Sequence, residues 1–278
     1  MDARAYLLER GPLIEAALDA AIPPATQPPA RLHQAMRHAL FPGGKRIRPA
    51  FALAASEAVG GPPERALPAA VAVELIHAYS LVHDDLPCMD DDAERRGRPS
   101  VHAAFGETLA VLAGDALLTA AFEVLARAEG SEAARLAAIR DLAVAAGSTQ
   151  LVGGQADDLA FDPVDHNAAR VESVHARKSA ALIAASIVSG ARFAGGNDAL
   201  LAALGRCGNN VGVAFQIADD LLDEGDADAC SLVRAIGAQA ARERAESLLE
   251  AGLRETSELG ERAEPLRALA RFAVWRSG

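Results

Sequence analysis

The sequence predicts an all-α protein, a single-domain large helical bundle. Three observations predict it. Alanine and leucine dominate while aromatics make up only 4% of the 278 residues, a composition that favours helix on intrinsic propensity. Apolar residues recur at helical spacing along most of the chain, in segments parted by Gly, Pro or Asn. No strand-length stretch alternates convincingly and no repeat of fixed period is evident, which leaves a bundle as the architecture to expect. With 51% of residues apolar, the chain can enclose one sizeable core.

The first helix is expected over about residues 2–20, ending before the prolines of "IPPATQPPA", and the second over about 31–40. "FPGGKRIRPAF" then sets a Gly-Gly turn and a short basic run before an apolar segment at 51–59. A "GGPPERALP" loop leads into a long, nearly all-apolar helix through "VELIHAYSLVHDD"; lacking a polar face, it belongs at the centre. It should stop close to Asp85, because Pro87 disfavours helical geometry at Leu86 and has no N–H to donate. Further helices are expected at 106–128, 131–152, 167–177, 178–194, 199–224, 231–256 and 261–275.

Charge and cysteine usage exclude several functions. A net charge of −11 argues against a nucleic-acid partner, since phosphate backbones are held by surplus Lys and Arg. Lys45 and Lys178 are the two lysines of the entire chain. Cys88, Cys207 and Cys230 are widely spaced with no C-x-x-C pair, which fits a reducing compartment and excludes a disulfide framework or a zinc ribbon. The N-terminus lacks a basic start followed by an apolar run, and no 18-residue uncharged apolar stretch follows. A soluble cytoplasmic protein without an integral membrane segment is therefore expected.

Two acidic clusters carry the chemistry. In "HDDLPCMDDDAERRG", Asp84, Asp85 and Asp90 gather at the end of the long apolar helix and are answered at once by Arg95 and Arg96. Adjacent carboxylates raise one another's pKa unless cations neutralise them. Magnesium is a fitting partner, because it shares one or two carboxylates with substrate phosphates and keeps several waters. A solvated acidic loop would carry the same letters, but a second cluster shifts the balance. "FQIADDLLDEGDAD" places Asp219, Asp220 and Asp223 at the end of another apolar helix, and residues 219 and 223 share one helical face. Neither segment supplies the twelve-residue loop of an EF-hand.

Basic groups complete the pattern. "GGKRIRP" and "ERRGRP" offer Lys45, Arg48, Arg95 and Arg96, and the arginine fork matches phosphate oxygens. His77, seven residues before Asp84, falls almost on the same helical face. A core histidine bonded to a carbonyl would read the same way.

In "GGKRIRP", "HAYSLVHDDLPCMD", "RRGRPSVH", "GDALL", "GGQADDL", "RKSAALI" and "FQIADDLLD", taken in that order, the chain resembles the trans-isoprenyl diphosphate synthases, or polyprenyl synthetases. The resemblance implies an isoprenoid-synthase bundle around a deep cavity, working as a homodimer on small-molecule diphosphates. Three Mg²⁺ ions would bridge the two aspartate motifs, Asp84, Asp85, Asp90 and Asp219, Asp220, Asp223, to an allylic diphosphate, with Asp84, Asp90 and Asp219 as direct ligands. Isopentenyl diphosphate would lie on Lys45, Arg48, His77 and Arg96 beside the Gly44 turn. Arg95 and Lys178 would clamp the allylic diphosphate. Ser179, where the family usually has threonine, and Gln216 would line the space where the carbocation forms.

The implied product is C15 farnesyl diphosphate, with C20, C10 and a weakly active partner subunit of a heteromeric synthase as alternatives. Family pattern makes Tyr79 the floor of the cavity, whereas strict helical spacing nominates Ser80, more directly beneath Asp84. A terpene cyclase would share the ionisation step but needs no second diphosphate site, which "GGKRIRP" and the second arginine of the pair provide. The chain departs from the family after Lys178, where no further lysine follows, leaving Arg234 or Arg276 as stand-ins. Ala93 and Glu94 replace the aspartate and leucine usual before the arginine pair.

Overall fold

The computed structural model describes residues 2–162, 167–222 and 230–275. Its helices are α1 (Ala3–Ala21), α2 (Ala30–Leu40), α3 (Ile47–Ala58), α4 (Leu67–Asp84), α5 (Val101–Phe105), α6 (Glu107–Arg127) and α7 (Glu132–Ala146). They continue as α8 (Leu151–Leu159), α9 (Ala168–His175), α10 (Ala181–Phe193), α11 (Asp198–Asp220), α12 (Leu232–Ile236), α13 (Ala238–Arg254) and α14 (Glu264–Val274). The expected all-α fold is what the chain adopts.

The differences from expectation are local, and each has a cause. The helix expected at 131–152 breaks at Gly147, so "LVGGQADDL" becomes the separate helix α8. The one expected at 231–256 breaks at Gly237, whose φ of 85° no helix accommodates. Between α9 and α10 the chain does not break at all; it passes through a π-helical turn over Ala176–Ala180, which carries Lys178. One hairpin was not anticipated. Strands β1 (Glu94–Arg95) and β2 (Arg98–Pro99) pair antiparallel, with Arg95 opposite Arg98. Arg96 and Gly97 between them both take positive φ, 57° and 73°, as the tight two-residue turn of a twisted hairpin requires.

Helix α4 runs through the centre, packed against α3, α6 and α10. Phe51 and Leu53 of α3 and Leu75 and Ile76 of α4 are wholly enclosed, each worth about 1.5–3 kcal/mol relative to exposure. Helix α11 begins at an Asn197 cap that accepts from the Leu200 amide at 2.9 Å. It lies tightly along the π turn, because a Cβ at Gly212 would stand 2.4 Å from the Cα of Ala180. Gln216 and Asp219 follow Gly212 on the same face by helical spacing, so that face delivers both to the wall formed by Lys178 and Ser179. Two segments, Pro63–Asp84 and Glu107–Arg127, are long and apolar enough to cross a membrane by length and composition. The first is mostly buried in the core, while α6 leaves Val111 and Leu112 exposed.

Candidate active site

Helices α4 and α11 end at one cavity of about 750 Å³. Asp84 closes α4, Asp219 lies in the last turn of α11, and both line that cavity. Burial drives the Asp84 carboxyl up to about 7, against the pull of Lys178 and with the push of Asp90 and Asp85. Asp90 is raised as well, first by burial and then by Asp92 and Asp158, with Lys178 opposing. The loop between the two aspartates folds back on itself: the Asp90 amide donates to the Asp84 carbonyl at 2.9 Å, and the Met89 and Asp91 amides both donate to Leu86.

The other expected metal residues are placed differently. Asp85 is buried and accepts from Arg95 Nε at 2.6 Å. Asp220 accepts from the Leu232 amide at 2.7 Å and lies 3.5 Å from His175 Nε2. Each is thereby held by the protein's own groups, an anchoring that stands beside the expected metal role rather than replacing it. Asp223 lies outside the described residues. Among the described residues no three acidic, imidazole or thiol groups converge tightly enough to hold a metal alone. That donor set fits Mg²⁺, which completes its octahedron with waters and phosphate oxygens and needs few carboxylates. Asp84, Asp90 and Asp219 are the residues that would hold it.

Cations surround the rest of the cavity. Lys45, Arg48, Arg95, Arg96 and Lys178 all line it. Arg95 is steered by Asp85 and by Asp92 at 3.0 Å. Arg96 is held below its usual pKa by burial, and Arg46 and Arg95 add to this while Glu74 opposes it. His77 is pushed well below its ordinary value by burial and then by Arg48, Arg96, Arg95 and Arg46. So many cations crowded together make a receptor for a polyanion. Gly44 lies at the rim, and Lys45 points its ammonium over the Phe272 ring at 6.0 Å.

Lys178 is the best-supported cation. Its Nζ stands 2.5 Å from Asp158 Oδ2 on α8, and α8 reaches it because a Cβ at Gly154 would meet the Lys178 amide nitrogen at 2.4 Å. Beside it the Ser179 hydroxyl donates to Gln216 Oε1 at 2.7 Å, which fixes the orientation of that amide. Leu81, Leu151, Leu182, Ile183 and Phe215 supply the apolar wall. Ser80 lines the cavity, whereas Tyr79 is buried beside it with its ring edge-on to His83, 5.8 Å between centroids. Arg234 is exposed on α12 and is not among the lining residues; Arg276 lies outside the described residues.

Sequence reasoning missed Asp158, Gln155, Glu74 and Arg46. Gln155 and Asp158 lie three apart in "GGQADDL", a spacing that puts both on one face of a helix; that signal was available. Glu74 and Arg46 gave none, since neither stands out among the charges near it.

The family pattern described as polyprenyl synthetase matches residues 29–230. The chain is 40% identical over 297 aligned residues to the heterodimeric geranylgeranyl pyrophosphate synthase large subunit 1, chloroplastic, of Arabidopsis thaliana, covering 99% of this chain and 80% of that one. It is 39% identical to a dimethylallyltranstransferase of Fischerella ambigua, over 98% of this chain and 83% of that one. Among solved structures, an apo FPP/GFPP synthase from Zymomonas mobilis superimposes with a TM-score of 0.91 at 36% identity, over 98% of this chain and 99% of the other.

Proposed function

Since this chain belongs to the polyprenyl synthetase family and is a prenyltransferase, we propose that it condenses isopentenyl diphosphate with dimethylallyl or geranyl diphosphate, head to tail, and stops at C15 farnesyl diphosphate. The observation that carries this reading is the single cavity onto which Asp84 and Asp219 open from two helix ends, with two sets of cations beside them. One set, Arg95 and Lys178, stands nearest the Asp84 end and takes the allylic diphosphate. The other, Lys45, Arg48 and Arg96 with the uncharged His77 imidazole beside them, takes the second diphosphate.

The chemistry follows from the charges. The allylic C–O bond breaks and its electron pair leaves with the diphosphate, so positive charge fixed at that end stabilises the transition state. Asp84, Asp90 and Asp219 would hold magnesium, which when bound would supply further positive charge there. Arg95 and Lys178 act as the catalytic cations of the chain itself. Leu81, Leu182, Ile183 and Phe215 keep water from the allylic cation, and the paired Ser179 and Gln216 oxygens present dipoles to it. The isopentenyl double bond forms the new C–C bond, and the proton it loses goes to the released diphosphate.

The apolar face of α6, with Val111 and Leu112 exposed, supports a homodimer in which a second copy covers it. A second reading, a weakly active subunit of a heteromeric synthase, is favoured by the lack of lysine after Lys178 and by the name of the Arabidopsis relative. One assay separates them. Pure protein is incubated with labelled isopentenyl diphosphate, each allylic primer and Mg²⁺, and the chain lengths are resolved. Labelled C15 that disappears with a chelator is expected; no extended product would overturn the enzyme reading in favour of the subunit.

A further inference from the structure

Taking the prenyltransferase reading above as given, we infer that Arg46 is a positioning residue for the isopentenyl diphosphate subsite: its buried guanidinium clamps three elements together and thereby sets Lys45 and Arg48 toward the cavity. Arg46 stands between the two cations in "GKRIR" and lines the cavity with them, yet its side chain is buried in the protein. Lys45 is exposed and Arg48 half-exposed, while Arg46 is 6% exposed.

The contacts are specific. Arg46 Nε donates to Glu15 Oε1 of α1 at 2.7 Å and Nη1 to Glu74 Oε1 of α4 at 2.6 Å. Nη2 donates to the Leu40 carbonyl at the end of α2 at 2.6 Å and to Glu15 Oε2 at 3.3 Å. A planar fork can reach acceptors on three helices at once, which the single ammonium of lysine cannot. The backbone bears the mark of this clamp. Arg46 takes φ 51° and ψ 37°, left-handed for a residue with a Cβ, at the cap of α3. Such a conformation persists where the surroundings over-determine it. Gly43 completes the fit, since a Cβ there would fall 2.1 Å from the Arg46 Cζ.

The consequence reaches the site through geometry and charge. The left-handed residue turns the chain at the start of α3, where Lys45, Arg46, Ile47 and Arg48 together line the cavity. Glu74 stands one turn before His77 on α4 and lies on the cavity wall, so the Arg46–Glu74 pair also fixes the counter-charge beside Arg96. Nothing in this arrangement touches the Lys178 and Asp158 end. Loss of the clamp should therefore weaken one diphosphate selectively.

Four variants test this, of which Arg46→Lys keeps the charge without the planar fork. Arg46→Met removes the clamp; Arg46→Met/Glu74→Gln does so without leaving a buried carboxylate unpaired; Glu15→Gln weakens it from the half-exposed side. Binding of isopentenyl diphosphate is measured by calorimetry in the presence of Mg²⁺ and a non-ionising allylic thiolodiphosphate, beside KM for each substrate. The expected result is a rise of tenfold or more in Kd and KM for isopentenyl diphosphate, a smaller rise for Glu15→Gln, partial rescue by Arg46→Lys, and allylic KM within threefold of wild type. Unchanged isopentenyl affinity, or equal weakening of both substrates, would overturn the positioning role alone. Wild-type protein that binds no isopentenyl diphosphate would bring down the underlying reading and this role with it.

Discussion

The amide of Asp90 lies 2.9 Å from the carbonyl oxygen of Asp84, so the five residues between these two aspartates of "DDLPCMD" form a closed turn that brings the chain at Asp90 back to Asp84. The arrangement is electrostatically costly without a cation: burial lifts Asp84 to about 7 and raises Asp90. Asp84→Asn should then lower kcat by about 10²–10³, while raising the unfolding midpoint in a chelator. Asp85→Asn should do the reverse to stability, losing about 1–3 kcal/mol because the half-buried Arg95 forfeits its 2.6 Å partner. Urea unfolding of both variants with EDTA checks the two signs; a matching loss in each would contradict the division of roles.

Gly154 gives a test that leaves every charge in place. Its missing Cβ is what lets α8 lie against the backbone of Lys178, because a Cβ there would stand 2.4 Å from the amide nitrogen and 2.7 Å from Cα. Neither atom can yield as a flexible side chain would. Gly154→Ala should cost about 1–3 kcal/mol from overpacking. It should also cut kcat by about 10², the scale on which a displacement of about 1 Å acts on a catalytic group. Steady-state kinetics at saturating substrates provides the readout, with KM for isopentenyl diphosphate expected to stay near the wild-type value.

Legibility in the sequence tracked the range of the force involved. Helix α4 was readable because it is apolar all round and a proline stops it, two local signals. Asp84 and Asp219 were readable because each stands at the end of such a helix. The Arg95–Arg96 hairpin was not, since two-residue strands leave no alternation to detect. The turning of Asp85 to Arg95 and of Asp220 to Leu232 was hidden for a different reason. Adjacent carboxylates look alike in a sequence, and which one meets the cavity depends on which partner the tertiary fold brings up. Arg46 was invisible on the same ground, its partners being 6, 28 and 31 residues away.

Chain length offers a paired test, because Ser80 lines the cavity and Tyr79 is packed beside it against His83. His83 is itself placed by the Val111 carbonyl of α6, 3.1 Å from Nε2, so the tyrosine ring is backed by a second helix. If the ring stops the growing tail, Tyr79→Ala should open a path between α4 and α6 and shift product from C15 to C20 or longer, at a stability cost of about 3–5 kcal/mol. Ser80→Phe should fill the wall and shift product toward C10. Chromatography of labelled products decides; unchanged C15 from Tyr79→Ala would remove the ring as the floor and leave the wall at Ser80.

His77 makes stability depend on pH with a definite sign. Burial among Arg48, Arg96, Arg95 and Arg46 holds its folded pKa well below the ordinary value, so the folded protein keeps the imidazole neutral where the unfolded chain would protonate it. Above about pH 6.5 both states are neutral and His77 contributes nothing to the pH dependence. Below that, the unfolded state binds the extra proton, and stability falls as pH drops toward the folded value. Asp84 runs the other way, because its raised pKa lets the folded state hold a proton that an unfolded carboxyl has released. The two partly cancel in wild-type protein, so the informative quantity is the difference from His77→Gln. Urea unfolding of both proteins at pH 7.5 and 5.5, in EDTA, should show the variant losing less stability, or gaining more, over that interval; equal changes would mean that His77 titrates in the folded state as it does in the unfolded chain.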